Sequence, residues 1–326
     1  MQNWNDFLAR AGAPFAMQPD TEPALLVPLS DFAVLDFSGA DAETFLQGQL
    51  SNDIRQVSPQ AAQWSSYSTA KGRMLANFLV WQESGHYQLM LSAGLAAAID
   101  KRLNMFILRS KVSHRQRDDL VLLGLTGPAA ERVMQQSGLA VPATGLAVET
   151  LSEGCVIRLP EGRFVLALAP AAAMSLWPQL CAHGAKPAPM TNWTLSDIAT
   201  GTPWITQATQ EAFVPQMANL ELIGGVSFQK GCYPGQEIVA RTQYLGKVKR
   251  RMFRALADAQ AMPGDELFSV ETGEQAIGKV MLAVATEAGT ELLVVVQSNA
   301  WNSGVHLRSV DGPLLQRGQL PYAVES

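Results

Sequence analysis

The residue pattern of this chain changes near position 245. Before that point, strand-like runs and apolar residues at helical spacing occur without the regular strand–helix repeat of a parallel sheet. After it, turn sequences containing glycine separate short strand patterns, which is typical of a small barrel. These patterns lie at 249–255, 266–270, 276–285 and 291–297. The sequence therefore predicts an α+β chain that ends in a small β-barrel at residues 245–326.

The part before the barrel is predicted to form an N-terminal arm and one larger region. The arm, residues 1–24, contains a short amphipathic stretch and is expected to be loosely held. The larger region, 25–244, divides into subunits at about 25–118 and 119–190, and residues 191–244 are expected to close a pocket. The second subunit has the β-α-β-β-α order of a ferredoxin-like unit. No GxGxxG motif is present, which argues against a dinucleotide-binding domain.

Composition and charge limit the class of protein. Of the 326 residues, 48% are hydrophobic and 16% are charged, so the chain can bury a large core and has no signature of disorder. The net charge of −5 argues against a surface that coats nucleic acid. One local exception is a basic cluster, which is either the solvated face of a strand or a rim that attracts anions. Its members are Lys247, Lys249, Arg250, Arg251 and Arg254.

The three cysteines, Cys155, Cys181 and Cys232, are far apart and form no CxxC or Cys/His motif. A zinc site or a self-contained cluster site is therefore not expected, and no metal-binding residue is predicted. An odd number of separated thiols suits a reducing compartment. The sequence has neither a signal-peptide pattern nor an apolar run of about eighteen residues. These features predict a cytoplasmic protein that does not enter a membrane.

Residues 230–241, KGCYPGQEIVAR, combine a cation, a thiol and a helix-start pattern. Pro234 suits the first position of a helix, because proline lacks the amide hydrogen that would have no partner there. Cys232 would then lie just before a helix N-terminus, two residues after Lys230. Both features favour the thiolate over the thiol, so Cys232 and Lys230 are the predicted catalytic residues. The residue types alone are equally compatible with a structural cysteine in a loop-to-helix corner.

The string KGCYPGQE, with FVPQMANLELIGGVSFQ before it and IVARTQYLGKVKRR after it, resembles the signature of the YgfZ family of folate-binding proteins. This family is related to the aminomethyltransferase (T-protein) of the glycine cleavage system. Weaker similarity extends to DFSGADAETFLQGQLSND, AKGRMLANFLV and FILRSKV. The resemblance implies an aminomethyltransferase-like folate-binding fold, tetrahydrofolate as cofactor, and a role in assembling or repairing iron–sulfur clusters that indirectly supports tRNA modification.

The same resemblance implies which partners the protein binds. Its expected partners are iron–sulfur proteins or their assembly factors, without a stable nucleic-acid complex or a membrane, and the protein itself is expected to be a monomer. An alternative function is a folate-dependent one-carbon transferase or demethylase. A scaffold without chemistry is a further alternative, and the complete KGCYPGQE string counts against it, because a scaffold has no need of a polarised thiol.

The resemblance implies a folate site that includes Phe32, Trp193 and Arg241. Folate rings need aromatic faces and the glutamate tail needs cations. Trp193 matches a folate-contacting tryptophan of the family, whereas composition alone favours a core tryptophan. Phe32 stands where the family has a second tryptophan, so it keeps an aromatic face and loses the indole N–H. Arg241 either binds the ligand or forms an i,i+4 ion pair with Glu237.

Two departures from the T-protein pattern bear on chemistry. The acidic pair that follows the glycine-containing turn in T-proteins is replaced by Ala76-Asn77. Neutral side chains there can neither accept a proton near neutral pH nor stabilise a cation, which counts against the transferase alternative. Ala199 stands in place of the glutamate that reads the amino edge of the pterin. Enzyme activity of a conventional kind is therefore not expected.

Overall fold

The computed structural model describes residues 2–12, 15–18, 24–244, 246 and 248–324. The chain forms two compact units, each built from separated stretches. Unit 1 consists of Met1–Phe45, Arg55–Gln63 and Leu79–Trp193. Unit 2 consists of Leu46–Ile54, Trp64–Phe78 and Thr194–Ser326.

The described residues contain seven α-helices and seventeen strands. The helices are α1 (Gln2–Arg10), α2 (Ala42–Gln47), α3 (Ala93–Ile107), α4 (Ala130–Gln136), α5 (Pro170–Ala182), α6 (Met190–Thr200) and α7 (Gln236–Tyr244). The strands before residue 240 are β1 (Leu25–Pro28), β2 (Phe32–Ser38), β3 (Gln63–Ser68), β4 (Met74–Glu83), β5 (His86–Ser92), β6 (Ser113–Gln116), β7 (Val121–Thr126), β8 (Val148–Leu151), β9 (Gly154–Leu159), β10 (Arg163–Leu168) and β11 (Lys186–Pro187). The later strands are β12 (Arg250–Ala257), β13 (Glu266–Phe268), β14 (Gly278–Thr286), β15 (Gly289–Gln297), β16 (His306–Leu307) and β17 (Leu315–Arg317).

Unit 1 contains the predicted ferredoxin-like arrangement. Strands β7, β10 and β9 lie side by side in that order and are antiparallel, with α4 after β7 and α5 after β10. This is the split β-α-β order of ferredoxin-like folds. Strand β1, from an earlier part of the chain, pairs with the other side of β7, and β11 lies beyond β1. In the second sheet of this unit, β2 lies between β5 and β6.

Helix α1 is part of the core of unit 1. Trp4 is 4% exposed, and its ring centre lies 5.9 Å from that of Trp177 on α5. Both rings belong to a cluster that also contains Leu26, Leu123 and Phe164 from the sheet. The expected loose attachment of the N-terminal arm is therefore wrong for residues 2–10, because this amphipathic helix buries its tryptophan.

Unit 2 ends in a nearly closed β-barrel. Its six strands lie in the order β16, β13, β14, β15, β12, β17, and every pair of neighbours is antiparallel. A bridge joins His306 to Leu314, and the backbone N–H of Leu307 donates to the carbonyl oxygen of Pro313 (2.9 Å). These contacts connect β16 to the residues that lead into β17. The first and last strands of the sheet therefore meet, which confirms the predicted barrel.

The four strand patterns predicted for the barrel correspond to β12, β13, β14 and β15. Strands β16 and β17 span two and three residues and were not predicted, because so short a run has no measurable alternation. None of the helices in the described ranges is long and apolar enough to cross a membrane.

Candidate functional site

Lys230 is fixed by three backbone carbonyl groups of unit 2. Its side chain is buried, and Nζ donates to the carbonyl oxygens of Gln47 (2.7 Å), Leu50 (2.6 Å) and Asn52 (2.9 Å). An ammonium group has three N–H donors, so these contacts use all of them. The nitrogen also lies 5.2 Å from the centre of the Tyr233 ring, a cation–π distance. Lys230 thus ties the loop that carries Cys232 to residues 47–52, and has no N–H left to donate to the thiol.

The loop does not start a helix at Pro234, as the sequence predicts. Helix α7 begins at Gln236, because Gly235 has φ +82°, a left-handed backbone conformation. A Cβ atom at position 235 would lie 2.5 Å from the carbonyl oxygen of Thr69 and 2.6 Å from Cα of Gly72. The loop therefore packs closely on the turn between β3 and β4, and only glycine fits at position 235.

Cys232 is the exposed cysteine of this chain. Cys155 is buried on β9 and Cys181 is half-buried on α5. Burial raises the pKa of Cys155 to about 12 and also raises the pKa of Cys181. Because the thiolate is the reactive form of cysteine, burial protects these two thiols. The structure thus separates one accessible thiol on a fixed loop from two protected ones.

Iodoacetamide at pH 8 is expected to modify Cys232 in the folded protein and to leave Cys155 unmodified, as mapped by peptide mass spectrometry. Cys155 should react once denaturant exposes it. Its folded pKa lies above the unfolded value near 9, so the neutral buried thiol contributes stability that is lost as the pH rises from about 9 towards 12. Equal rates of modification at the two cysteines in the folded protein would contradict this assignment.

Asn77, which replaces an acidic residue of the T-protein pattern, has a structural role in unit 2. It is buried on β4, and its Nδ2 donates to the carbonyl oxygen of Pro203 (2.8 Å). Its Oδ1 accepts from the backbone N–H of Ile205 (2.7 Å). An ionised aspartate could accept the second bond but could not donate the first. Both ends of the amide are therefore committed to holding the backbone at 203–205.

A buried carboxylate lies close in sequence to Ala199. Ala199 itself is exposed on α6 and offers no polar side chain, whereas Asp197 is 2% exposed. Its Oδ2 accepts a hydrogen bond from Nε1 of Trp204 (3.1 Å), and the Trp204 ring lies edge-on to Trp64. Asp197 was not singled out from the sequence, because an aspartate within a helical pattern carries no sign of burial.

Phe32 begins β2 and borders a cavity of about 360 Å³ in unit 1. Its ring is half-buried, and Trp4 forms another part of the wall. Arg117 lies at the same cavity and is held by ion pairs with Glu83 (3.1 Å) and Asp119 (2.6 Å). Pockets for small molecules are commonly of this size or larger. An aromatic face and a positioned cation thus border one cavity.

Trp193 lies in the interior of unit 1 and is 1% exposed. A Cβ atom at Gly124 on β7 would lie 2.4 Å from Cε3 of its ring, so the sheet approaches the indole as closely as a glycine allows. The guanidinium of Arg163, also 1% exposed, lies 5.2 Å from the ring centre. These contacts describe a core tryptophan, and the role of Trp193 in folate binding stays a prediction.

Arg241 lies on the exposed side of α7. Two interpretations of Arg241 were open, a ligand contact and an i,i+4 ion pair with Glu237. Within the described part of the chain, this ion pair is not formed. Ile238, one turn earlier, packs on the turn before β4: a Cβ atom at Gly72 would lie 3.1 Å from its Cβ. Residues three apart share a helix face, so Arg241 and Ile238 lie on the same side of α7.

The predicted basic cluster does not form one solvated face. Arg251 is 8% exposed and pairs with the buried carboxylate of Glu221. Burial raises the pKa of Glu221, although the ion pair with Arg251 opposes the shift. Arg254 pairs with Glu291 (3.0 Å) across β12 and β15. The solvated-strand interpretation is therefore wrong for Arg251, and Lys247 lies outside the described residues.

The predicted site residues fall in both units. Lys230, Cys232 and Arg241 belong to unit 2, where the first two share a loop and the third lies on the following helix. Phe32 and Trp193 belong to unit 1. Over the described ranges, no three His, Cys, Asp or Glu side chains are grouped so that they could hold a metal ion.

Comparisons with known proteins agree over nearly the whole chain, although no protein-family model matches it. The tRNA-modifying protein YgfZ of Klebsiella pneumoniae (strain 342) is 31% identical over 310 residues, which cover 93% of this chain and 94% of that protein. The protein of the same name from Yersinia pseudotuberculosis serotype IB is 30% identical over 323 residues, or 95% and 97% of the two chains.

Among solved structures, the glycine cleavage system aminomethyltransferase T from Bartonella henselae is similar, with a TM-score of 0.75. The match covers 91% of this chain and 86% of that one, at 18% sequence identity. At this identity the likeness concerns the fold alone, and it confirms the predicted aminomethyltransferase-like α+β fold.

Proposed function

This chain belongs to the YgfZ family of tRNA-modifying proteins, and from this premise we propose that it is a tetrahydrofolate-binding accessory protein for iron–sulfur clusters. Its role is to assist the assembly or repair of clusters in other proteins, which indirectly supports the modification of tRNA. Similarity over nearly the full length of the chain shows the family. What is proposed is the chemical role of this chain within that family.

The observation that carries this proposal is the exposed thiol of Cys232 on a loop that Lys230 fixes. Soft thiolate ligands bind iron and iron–sulfur clusters. A single accessible thiol can hold an iron atom, a persulfide or a ligand of a partner briefly, without a permanent cage of ligands. The fixed loop presents the sulfur in one place, as a transfer step between proteins requires.

In unit 1, the position of Phe32 supports the folate part of the proposal, whereas that of Trp193 does not. Phe32 borders a cavity of suitable size and offers an aromatic face for a flat ring. The indole of Trp193 is covered by Arg163 and by the strand of Gly124, so its ring has no accessible face. We therefore propose that the ring contact of folate is at Phe32, whereas Trp193 packs in the core of unit 1.

The one-carbon transferase alternative is not favoured. Its chemistry relies on an acidic pair where this chain has Ala76-Asn77, and the amide of Asn77 is bonded at both ends to the backbone of residues 203–205. A direct check is incubation with tetrahydrofolate and a methylamine donor. Transfer of a one-carbon unit would move the transferase ahead of the accessory role.

Tetrahydrofolate is expected to quench the intrinsic tryptophan fluorescence of the protein, and Phe32→Ala should weaken binding by about 1–3 kcal/mol, because one stacking surface is lost. Phe106→Ala serves as the matched control, since that side chain is 45% exposed and lies outside the cavity. Trp193→Ala is unsuitable, because emptying a core site costs about 3–5 kcal/mol of stability by itself. Unchanged affinity in a folded Phe32→Ala protein would show that the folate contact lies elsewhere.

A further inference from the structure

One end of the C-terminal barrel, which we call the barrel mouth, carries an exposed arginine. Arg317 is the last residue of β17, and its register partner on β12 is Ala255. Because side chains alternate along a strand, Arg317 lies on the same side of β17 as Leu315, whose side chain packs in the barrel core. The inward-facing row of β17 therefore ends in a guanidinium group.

Two aromatic rings hold this guanidinium in place. Cζ of Arg317 lies 4.6 Å from the centre of the Phe253 ring and 5.9 Å from that of the Trp301 ring. The two rings meet edge to face, with their centres 5.7 Å apart, and Phe253 is buried. Over the described residues, Arg317 forms neither an ion pair nor a side-chain hydrogen bond. Cation–π contacts use none of its five N–H donors, so the cation is positioned and its donors are unused.

A cavity of about 450 Å³ opens beside this guanidinium. Phe253, Arg317 and residues of the segment 318–324 form its wall, and among the described residues that line it Arg317 is the charged one. The side-chain amide of Gln319 also borders the cavity, is exposed, and has no hydrogen-bond partner within the described ranges. Pockets at the mouths of β-barrels commonly bind small molecules. The free donors of two side chains thus meet in one cavity of suitable size.

The segment 318–324 that forms this wall is fixed at both ends. The backbone N–H of Gly318 donates to the carbonyl oxygen of Arg254 (2.8 Å), and the hydroxyl of Tyr322 donates to that of Gly201 (2.7 Å). A Cβ atom at Gly201 would lie 2.9 Å from Cδ2 of Leu320, so the segment packs closely on the end of α6. Burial raises the pKa of Tyr322 to about 12, so this side chain adds no negative charge to the cavity at neutral pH. The wall is therefore formed before any ligand binds.

We propose that Arg317 and Gln319 form a binding site for the phosphate group of a small ligand at the barrel mouth. An arginine guanidinium matches the oxygens of a phosphate in pairs. A phosphate group has three terminal oxygens and can accept from both side chains, whereas one edge of the guanidinium already occupies the two oxygens of a carboxylate. The cavity is larger than a phosphate group, which leaves room for the rest of the ligand beside Leu320 and Val324.

This site goes beyond the proposed function. It belongs to the barrel of unit 2, whereas Phe32 and the cavity that it borders belong to unit 1. Its test uses anions that contain neither a pterin nor a glutamate tail. Either proposal can therefore fail without the other.

The first test is isothermal titration calorimetry on the full chain at low salt, with pyrophosphate as the probe and citrate as the carboxylate comparison. The parent protein is expected to bind pyrophosphate more tightly than citrate. Arg317→Gln should weaken the binding of pyrophosphate about tenfold or more, because it removes a charged hydrogen-bonding partner. Arg317→Lys keeps the charge and loses the planar donors, so its affinity should fall between the two. Arg132→Gln, which replaces an exposed arginine on α4 in unit 1, changes the net charge equally and should bind as the parent does.

A second measurement needs no variant. Phenylglyoxal modifies accessible guanidinium groups, so it should modify Arg317 in the free protein, as mapped by peptide mass spectrometry. Pyrophosphate should protect Arg317 and leave the modification of Arg132 unchanged. Circular dichroism confirms that the variants of the first test are folded. The proposal is overturned if pyrophosphate does not bind the parent, if citrate binds more tightly, or if Arg132→Gln loses as much affinity as Arg317→Gln.

Discussion

Replacing Lys230 by methionine is expected to lower the free energy of unfolding by about 3–5 kcal/mol. Methionine fills a similar volume but offers no donor to the carbonyl groups of Gln47, Leu50 and Asn52, and the first cost is the loss of these three bonds. The second cost is that the carbonyl of Leu50, which is buried, is left without its donor. The loss should be larger than for an exposed lysine of the same unit replaced in the same way.

Urea denaturation followed by circular dichroism measures this effect. The matched control is Lys71→Met, which removes an exposed lysine of the same unit and should change stability by about 0.5 kcal/mol or less. A Lys230→Met protein as stable as this control would show that the three hydrogen bonds contribute nothing net. The thiol of Cys232 provides a second readout, because a released loop should change its rate of alkylation.

Replacing Cys232 by serine is expected to abolish most of the cellular function while leaving the fold intact. Serine is close in volume to cysteine, and the position is exposed, so little packing is lost. What disappears is the soft, ionisable sulfur that can bind iron or exchange with another thiol. The measurement is complementation of a strain that lacks this protein, scored by the activity of iron–sulfur-dependent enzymes.

Cys181→Ser is the control for this experiment, because that thiol is half-buried and its pKa is raised by burial. It should complement nearly as well as the parent. Cys155→Ser places a hydroxyl in a buried site and is expected to cost stability, so its expression level must be matched before function is compared. Full complementation by Cys232→Ser would end the thiolate hypothesis and leave folate binding as the proposed activity.

The elements with long, regular patterns could be predicted from the sequence. Strands β12, β14 and β15 are runs of eight or nine residues rich in apolar side chains and separated by turn sequences, and the barrel was predicted from their spacing. The ferredoxin-like arrangement in unit 1 could likewise be predicted, because its strands and helices follow one another in a recognisable order along the sequence. The place of β1 next to β7 could not be predicted, because it pairs residues about a hundred positions apart and no local pattern specifies such a partner.

The environment of the site residues was harder to predict. The sequence predicts that Lys230 acts on the thiol two residues away, but its ammonium group donates to carbonyl oxygens of residues that lie 178 to 183 positions earlier. Pro234 predicts a helix start, but the left-handed backbone conformation of Gly235 delays the helix to Gln236. The choice between a stacking and a core role for Trp193 depended on Gly124, which is remote in sequence. In each case the deciding contact is between distant segments.

The junction of β16 with the residues before β17 has a consequence for association between molecules. An open sheet presents unpaired N–H and C=O groups along its outer strands, and these can recruit a strand of another molecule. In unit 2 the outer strand β16 instead contacts the residues that lead into the other outer strand, β17, through the bridge at His306 and the hydrogen bonds around it. This junction leaves fewer unpaired N–H and C=O groups on the outer strands of the barrel for a strand of another molecule to bind.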